Sequence, residues 1–317
     1  MKKNYKLGFS LIEISVVVLI IGVLIAAITT GTDLVKRSKL ASARNLSSNS
    51  SIYGMKDLVL WFEPSLPTSF YAEGEGEPIE VWSNNSKFYS IGSAVQSSDE
   101  NPKLPIYIKD AINHIPAVRF YCESATECGQ YLNIPNVAGL LEETDLTIFI
   151  LENRNSNNTN LKRKILTSSS TTGSGLEIYY DSSDQFTVDN KSGEPKPSSV
   201  SQVAPTLHYL SLFYSSDNED FKVDDNIIIR KGYNYYKNKR LPENGAMPSV
   251  TTVIQDNDEN SRFSTGSMGE TIKIGNDTQS YSGNIAEILI FNRRLRQEEL
   301  VDIFDYFEAK YNIALED

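Results

Sequence analysis

Twenty consecutive residues, Phe9 to Ile28 (FSLIEISVVVLIIGVLIAAI), carry a single charge and two serines. As a helix they span about 30 Å, the thickness of a bilayer's hydrocarbon core. A stretch this apolar spans a membrane, is removed as a signal, or buries against other helices. The basic start (Lys2, Lys3, Lys6) and the small Ala26 and Ala27 fit a secretory signal. Glu13 argues against both a plain anchor and a signal core, because a carboxylate in such a run costs about 2.5–3.5 kcal/mol on insertion scales. Lys36, Arg37, Lys39 and Arg44 flank the other end, so the distribution of positive charge gives no orientation.

The stretch KLGFSLIEISVVVLIIGVLIAAI resembles the signal of type IV prepilins and type II secretion pseudopilins. In that family a short basic leader ends in Gly, Phe commonly follows, and Glu stands at the fifth mature position. Met1–Gly8 match the leader, Phe9 the new N-terminus and Glu13 the fifth position. The resemblance implies cleavage between Gly8 and Phe9 by a prepilin peptidase and methylation of the Phe9 amine. It also implies partners: the inner membrane and other pilins or pseudopilins. Glu13 of one subunit would meet the Phe9 ammonium of its neighbour, two charges that are each costly alone in an apolar bundle and tolerable as a pair. The mid-helix proline of many relatives is missing, and Gly22 and Gly31 are the interior helix weakeners. The leader sets the topology, N-terminus cytoplasmic and body in the periplasm or outside.

Beyond Ile28, Leu34, Val35, Leu40, Ala41, Ala43 and Leu46 lie between basic residues and predict an amphipathic continuation of the helix. The expected organisation is a leader 1–8, an assembly helix 9–46, a Ser/Asn-rich linker 47–56 and a body 57–317. The chain has a formal net charge of −11, yet residues 1–44 hold seven Lys and Arg against Glu13 and Asp33. The body is therefore more acidic than the whole and repels phosphate backbones, so no nucleic-acid partner is expected.

From Asp57 the texture is that of short strands separated by Asn, Ser, Gly and Pro clusters. Strands are expected near 58–63, 78–82, 117–121, 131–134, 146–152, 164–168, 175–180, 185–189, 208–215, 221–225, 226–231, 270–275 and 283–292. The polar stretches 153–164 and 244–269 read as loops. Leu300, Ile303, Phe304, Phe307 and Tyr311 follow helical spacing, with Glu298 and Glu299 early and Lys310 late as the helix dipole prefers. The expected fold is a long N-terminal helix followed by an all-β sandwich closed by a C-terminal helix. The stretches LVLWFEPSL (58–66), IPAVRF (115–120) with YLNI (131–134), and GNIAEILIFNRRLRQEELVDIFDYFEAKYNI (283–313) resemble concanavalin A-like, laminin-G-like jelly rolls. That resemblance implies a jelly-roll sandwich; such folds host lectins, hydrolases and spacers, so it does not fix a function.

Few residues offer chemistry. The cysteines are Cys122 and Cys128, in CESATEC, and the histidines are His114 and His208. No zinc cluster or CxxC pair is possible; the two thiols close a short loop in an oxidising compartment or stay unpaired. Glu287 stands alone in its strand and Glu177 and Asp181 lie four apart, unlike a glycosidase's paired carboxylates at alternate strand positions. With no nucleophile elbow either, no catalytic residue is assigned and no enzyme is expected. Trp61 and Trp82 read as core. In KGYNYYKNKR, Tyr233, Tyr235, Tyr236, Lys237 and Arg240 cluster in a loop and are candidate contacts for a sugar or an anionic surface. No metal site or cofactor is assigned; Asp224, Asp225, Asp256 and Asp258 lack the spacing of a calcium loop, though calcium stays open. The expected role is a minor pilin or pseudopilin displaying a lectin-like sandwich to an extracellular glycan or protein. The alternatives are a structural subunit of a secretion or DNA-uptake machine and a membrane-anchored glycan-active enzyme.

Overall fold

A computed structural model of the chain describes residues 11–70, 74–89, 91–99, 102–122, 128–141, 145–154, 162–169, 176–182, 186–189, 196–198, 206–215, 220–223, 227–231, 252–254, 262–264 and 271–312. It begins with helix α1 (Leu11–Asn49), which runs unbroken through Gly22 and Gly31 and leads into a 3-10 turn, Ser51–Gly54. The expected helix end at residue 46 and the linker 47–56 therefore differ from the structure. The last helical turn and the 3-10 turn occupy that segment, with Ser47, Ile52 and Met55 buried.

The strands follow in chain order: β1 (Leu58–Phe62), β2 (Val81–Trp82), β3 (Ala94–Val95), β4 (Ile106–Ile112), β5 (Ile115–Phe120) and β6 (Tyr131–Pro135). A short helix α2 (Ala138–Leu141) precedes β7 (Leu146–Arg154), β8 (Arg163–Ser169), β9 (Glu177–Tyr180), β10 (Phe186–Asp189), β11 (Lys196–Ser198) and β12 (Thr206–Ser215). Then come β13 (Asp220–Val223), β14 (Ile227–Lys231), β15 (Thr252–Ile254), β16 (Arg262–Ser264), β17 (Thr271–Gly275), β18 (Gly283–Phe291) and the closing helix α3 (Gln297–Tyr311). Strand β4 was not expected from sequence, since Lys109 and Asp110 interrupt its apolar run. Strands β15 and β16 fall within 244–269, which read as loop.

Two antiparallel sheets form the sandwich. One runs β15-β14-β12-β7-β18-β5-β4, with β1 also on β18, β13 on β12 and β16 on β13; the other runs β11-β10-β9-β8-β17-β6-β3-β2. In the first sheet Ile148, Ile150, Ile288 and Ile290 face the second sheet, against Leu132, Ile134, Leu166, Ile178, Ile272 and Ile274. Their neighbours Phe149, Leu151, Leu289 and Phe291 face the opposite way and pack with Ile303, Phe304 and Phe307 of α3. A sheet covered on both faces needs apolar side chains at every position, hence the unbroken runs LTIFIL and ILIF. Each fully buried Leu, Ile or Phe contributes about 1.5–3 kcal/mol. In the second sheet the strands alternate apolar with polar residues: Asn133, Lys273, Thr167 and Glu177 stand in register across β6, β17, β8 and β9.

A turn after β18 fastens the body's start to its end. Asn292 N–H donates to the Asp57 carbonyl (3.0 Å) and its side chain to the Leu140 carbonyl (3.1 Å). Arg293 donates to Asp57 (3.1 Å) and, through both terminal nitrogens, to Glu299 (2.8 and 2.7 Å) in the first turn of α3. Glu299 also accepts the Arg296 N–H at 2.8 Å, satisfying one of the helix's free donors.

Candidate assembly helix and its anchorage

The first five turns of α1 are exposed along their length. Leu11, Ile12, Ile14, Val16, Leu19, Ile21, Leu24 and Ile28 are all exposed, a continuous apolar rod on every side. Its few hydroxyls are satisfied within the helix: Ser15 donates to the Ile12 carbonyl (2.8 Å), and Thr29 and Thr30 donate to the Ala26 carbonyl (3.0 and 2.8 Å). Hydroxyls bonded this way tolerate an apolar surrounding. Glu13 lies in the first turn of this rod. The helix is long and apolar enough to cross a membrane. Gly8 and Phe9 lie outside the described residues.

Further along, α1 meets the body at few points. Lys36 pairs with Asp110 of β4 (2.8 Å), which also holds His114 Nδ1 (2.9 Å) in the β4–β5 turn. The Lys36 ammonium holds the Asp110 carboxyl below its ordinary range. Arg44 Nε donates to the Ser65 carbonyl at 2.7 Å, while Ala43 and Ser47 are buried against the helix-covered face of the first sheet.

Ser47 opens onto a buried polar network. Its hydroxyl bonds Tyr306 of α3 (3.0 Å), and the Tyr306 hydroxyl donates to Glu287 Oε1 (2.8 Å). Trp61 Nε1 donates to the same oxygen (2.6 Å), and Tyr311 donates to Glu287 Oε2 (2.8 Å). Lys310 Nζ lies 2.9 Å from Glu287 Oε2, 2.8 Å from the Tyr306 hydroxyl, and in contact with Glu63 Oε1. Lys310, Glu63 and Glu287 have no exposed side-chain surface. Burial pushes the Glu287 carboxyl up, against the pull of Lys310 and with a further push from Glu63; it also pushes the Tyr306 and Tyr311 phenols well up. Lys310, which stands late in its helix as the dipole prefers, is turned into the body. The sequence did carry a signal for this: Lys310 falls seven residues after Ile303, on the apolar stripe of its helix, and Glu287 interrupts an apolar strand.

A second buried cluster lies between the sheets. Glu152 of β7 accepts from Tyr180 (2.7 Å), Tyr281 and His208 Nε2 (3.0 Å), and His208 stacks on Phe186 at 3.9 Å between centroids. Among the described residues His208 Nδ1 has no hydrogen-bond partner. No local pattern announces this cluster, whose members come from β7, β9, β12 and the approach to β18. Trp61 and Trp82 are fully buried, in keeping with core roles. Cys122 and Cys128 are joined as a disulfide, with Cα atoms 4.2 Å apart. Tyr233, Tyr235, Tyr236, Lys237 and Arg240, and likewise Asp224, Asp225, Asp256 and Asp258, lie outside the described residues. Among the described residues no group of three or more His, Cys, Asp or Glu is placed to hold a metal.

An apolar rod bearing one carboxylate and fixed to a folded body only at its far end has the form of a pilin helix. Residues 3–29 match the prokaryotic N-terminal methylation motif. The motif supports a type IV pilin-like protein; it implies processing by a prepilin peptidase, assembly with other pilins, and membrane anchoring before assembly. No curated protein matches the chain. Among solved structures the chain is similar to a Trypanosoma rangeli sialidase in complex with the inhibitor DANA. The identity is 11% over 78% of this chain and 32% of that one, with a TM-score of 0.41. It is also similar to a mutant GH54 α-L-arabinofuranosidase soaked with a nitrophenyl arabinofuranoside, at 9% identity over 74% of this chain and 51% of that one, with a TM-score of 0.48. The chain thus spans about a third of the first and half of the second. Likeness at this level carries no activity or substrate to this chain.

These neighbours do correct one expectation. No enzyme was expected from the sequence, whereas the similar solved structures are glycosidases, so that expectation is withdrawn. Its physical weakness is visible in the fold. It relied on carboxylates close in sequence, yet Glu287, which read as solitary, meets Glu63 through Lys310.

Proposed function

We infer that this chain is a minor pilin or pseudopilin, cleaved between Gly8 and Phe9 by a prepilin peptidase and methylated at Phe9. Its concanavalin A-like sandwich is held outside the membrane to recognise an extracellular glycan or protein. The observation that carries this reading is the asymmetry of α1: its apolar side chains are exposed over the first five turns, while its other end is docked through Ala43 and Ser47. Such a helix can pass from lipid into a bundle of like helices without disturbing the body. Within that bundle Glu13 pairs with the Phe9 ammonium of a neighbour. The jelly-roll resemblance and the aromatic, basic stretch 233–240 support a recognition role for the body.

Mass spectrometry of the mature N-terminus tests the first part: N-methyl-Phe9 is expected, and an intact Met1 would overturn it. Glycan-array binding by the detergent-solubilised full chain tests the second. Failure to bind, together with recovery of the protein in complexes of other pilins, would favour a structural subunit instead.

A further inference from the structure

Lys310, Glu63 and Glu287 share one pocket closed to solvent. Its walls are aromatic: the Tyr306 and Tyr311 rings lie 5.2 and 5.1 Å from Lys310 Nζ, and Trp61 caps Glu287. If all three groups ionised, the pocket would hold one positive and two negative charges without water, an unfavourable arrangement. Burial pushes the Glu287 carboxyl up, and Lys310 Nζ, 2.9 Å from Glu287 Oε2, is in contact with Glu63 Oε1. The oxygens of Glu63 are held in turn by backbone donors, Oε2 by Leu66 N–H (2.8 Å) and Oε1 by Ser65 N–H (3.1 Å). Donors so placed stabilise negative charge that builds on a carboxyl oxygen under attack. The pocket therefore contains an amine, a polarised carboxyl and a second carboxyl within reach of the amine.

We propose that Glu63 and Lys310 become joined by an amide bond, formed without another enzyme, with Glu287 passing the protons. The Lys310 ammonium first gives a proton to the Glu63 carboxylate. The freed nitrogen lone pair attacks Glu63 Cδ, forming the C–N bond, and the carbonyl electron pair moves onto the oxygen facing the backbone donors. Glu287 then protonates the departing hydroxyl and takes a proton from the nitrogen. The C–O bond breaks, water leaves, and Glu287 ends protonated as it began. Ammonium plus carboxylate becomes amide plus one water, with no oxidant or reductant. In bulk water the ions are held apart by hydration. Here the side chains are closed off from bulk solvent, and the amide removes two buried charges. Fixed proximity supplies the effective concentration.

The bond has a mechanical sense. Glu63 follows β1, the first strand after α1, and Lys310 lies in the last turn of α3. Joining them closes residues 63–310 into a covalent ring, so that pull transmitted along α1 and β1 meets the ring at its junction and cannot unravel the chain from Glu63 onward. This holds whichever ligand the body recognises.

The test is intact-mass and peptide mass spectrometry of the reduced, full-length protein in detergent. The expected result is a mass lower than the sequence from the same N-terminus by one water, and a branched proteolytic peptide joining Glu63 to Lys310. Lys310→Arg and Glu287→Gln should each restore the full mass. A wild-type protein at full mass, with tryptic cleavage after Lys310, overturns the proposal. The wild-type measurement decides even where a variant does not fold. A bond that persists in Glu287→Gln would remove Glu287 from the mechanism.

Discussion

Ser47 in the last turns of α1 and Tyr306 in α3 share a hydrogen bond of 3.0 Å, with Ser47 wholly buried. Through Tyr306 the bond continues to Glu287 at the centre of the first sheet. The assembly helix is thus joined to the body's core by polar contacts as well as by apolar packing. Ser47→Ala removes the bond but leaves Tyr306 its contacts with Glu287 and Lys310, so a loss of about 1 kcal/mol is expected. Ser47→Leu forces a larger side chain into the same place and should cost about 1–3 kcal/mol. Thermal melts of both variants in detergent check the order, and hydrogen exchange over residues 43–55 should rise more in the second.

Glu287 makes a pH prediction with a definite sign. Its folded carboxyl is raised above the ordinary 4.5 by burial, so the folded state retains a proton that the unfolded chain releases. That contribution is fully present below the ordinary value and is lost as pH rises through the folded value. Asp110 and Glu299 act oppositely, since Lys36 and Arg293 hold them low; their contribution is present above the ordinary range and lost on acidification. Those terms are common to Lys310→Arg and to Lys310→Arg/Glu287→Gln, neither of which can form the amide, and cancel in the difference. Urea midpoints from about pH 4 to about pH 8 should therefore fall less steeply with rising pH in the double variant. Parallel curves for the two proteins would contradict this assignment.

Gly283 starts β18 at φ +151°, where an added Cβ would lie 2.6 Å from Arg154 Cα and 2.7 Å from the Asn153 carbonyl oxygen. Both obstacles are backbone of the paired strand β7 and cannot rotate away. Gly283→Ala should lose roughly 3 kcal/mol from strain and overpacking together. Denaturant unfolding measures it, and a change below about 0.5 kcal/mol would show that β18 can shift to make room.

Glu13→Leu separates processing from assembly. Glu13 lies in the first turn of the apolar rod, beyond the proposed Gly8–Phe9 cleavage site, so the mature N-terminus should still be N-methyl-Phe9. Filament incorporation should be lost, because the neighbour's ammonium then has no partner in an apolar bundle. Immunoblots of sheared filaments beside whole-cell extracts compare the two, and normal incorporation would remove Glu13 as the register.

Much of the fold was legible in order. Strands β7, β12 and β18 announce themselves as long apolar or aromatic runs, and α3 by its spacing. Strand β4 was hidden because Lys109 and Asp110 lie on a half-exposed edge, where pairing rather than burial makes the strand. Strands β15 and β16 are three residues each, too short for a period to show.

The sequence by itself determined a long apolar N-terminal helix bearing Glu13, followed by a β-sandwich. Those features are local: a run of side chains, a spacing, a period. Tertiary structure alone decided that Glu63, Glu287 and Lys310 share one dry pocket, that Ser47 ties the helix to it, and that Glu152 holds His208 between the sheets. Residues 63 and 310 are 247 positions apart, and no local period relates them. They meet because β1 pairs with β18 while α3 folds back over the same sheet face, a relationship that exists only once the chain has closed.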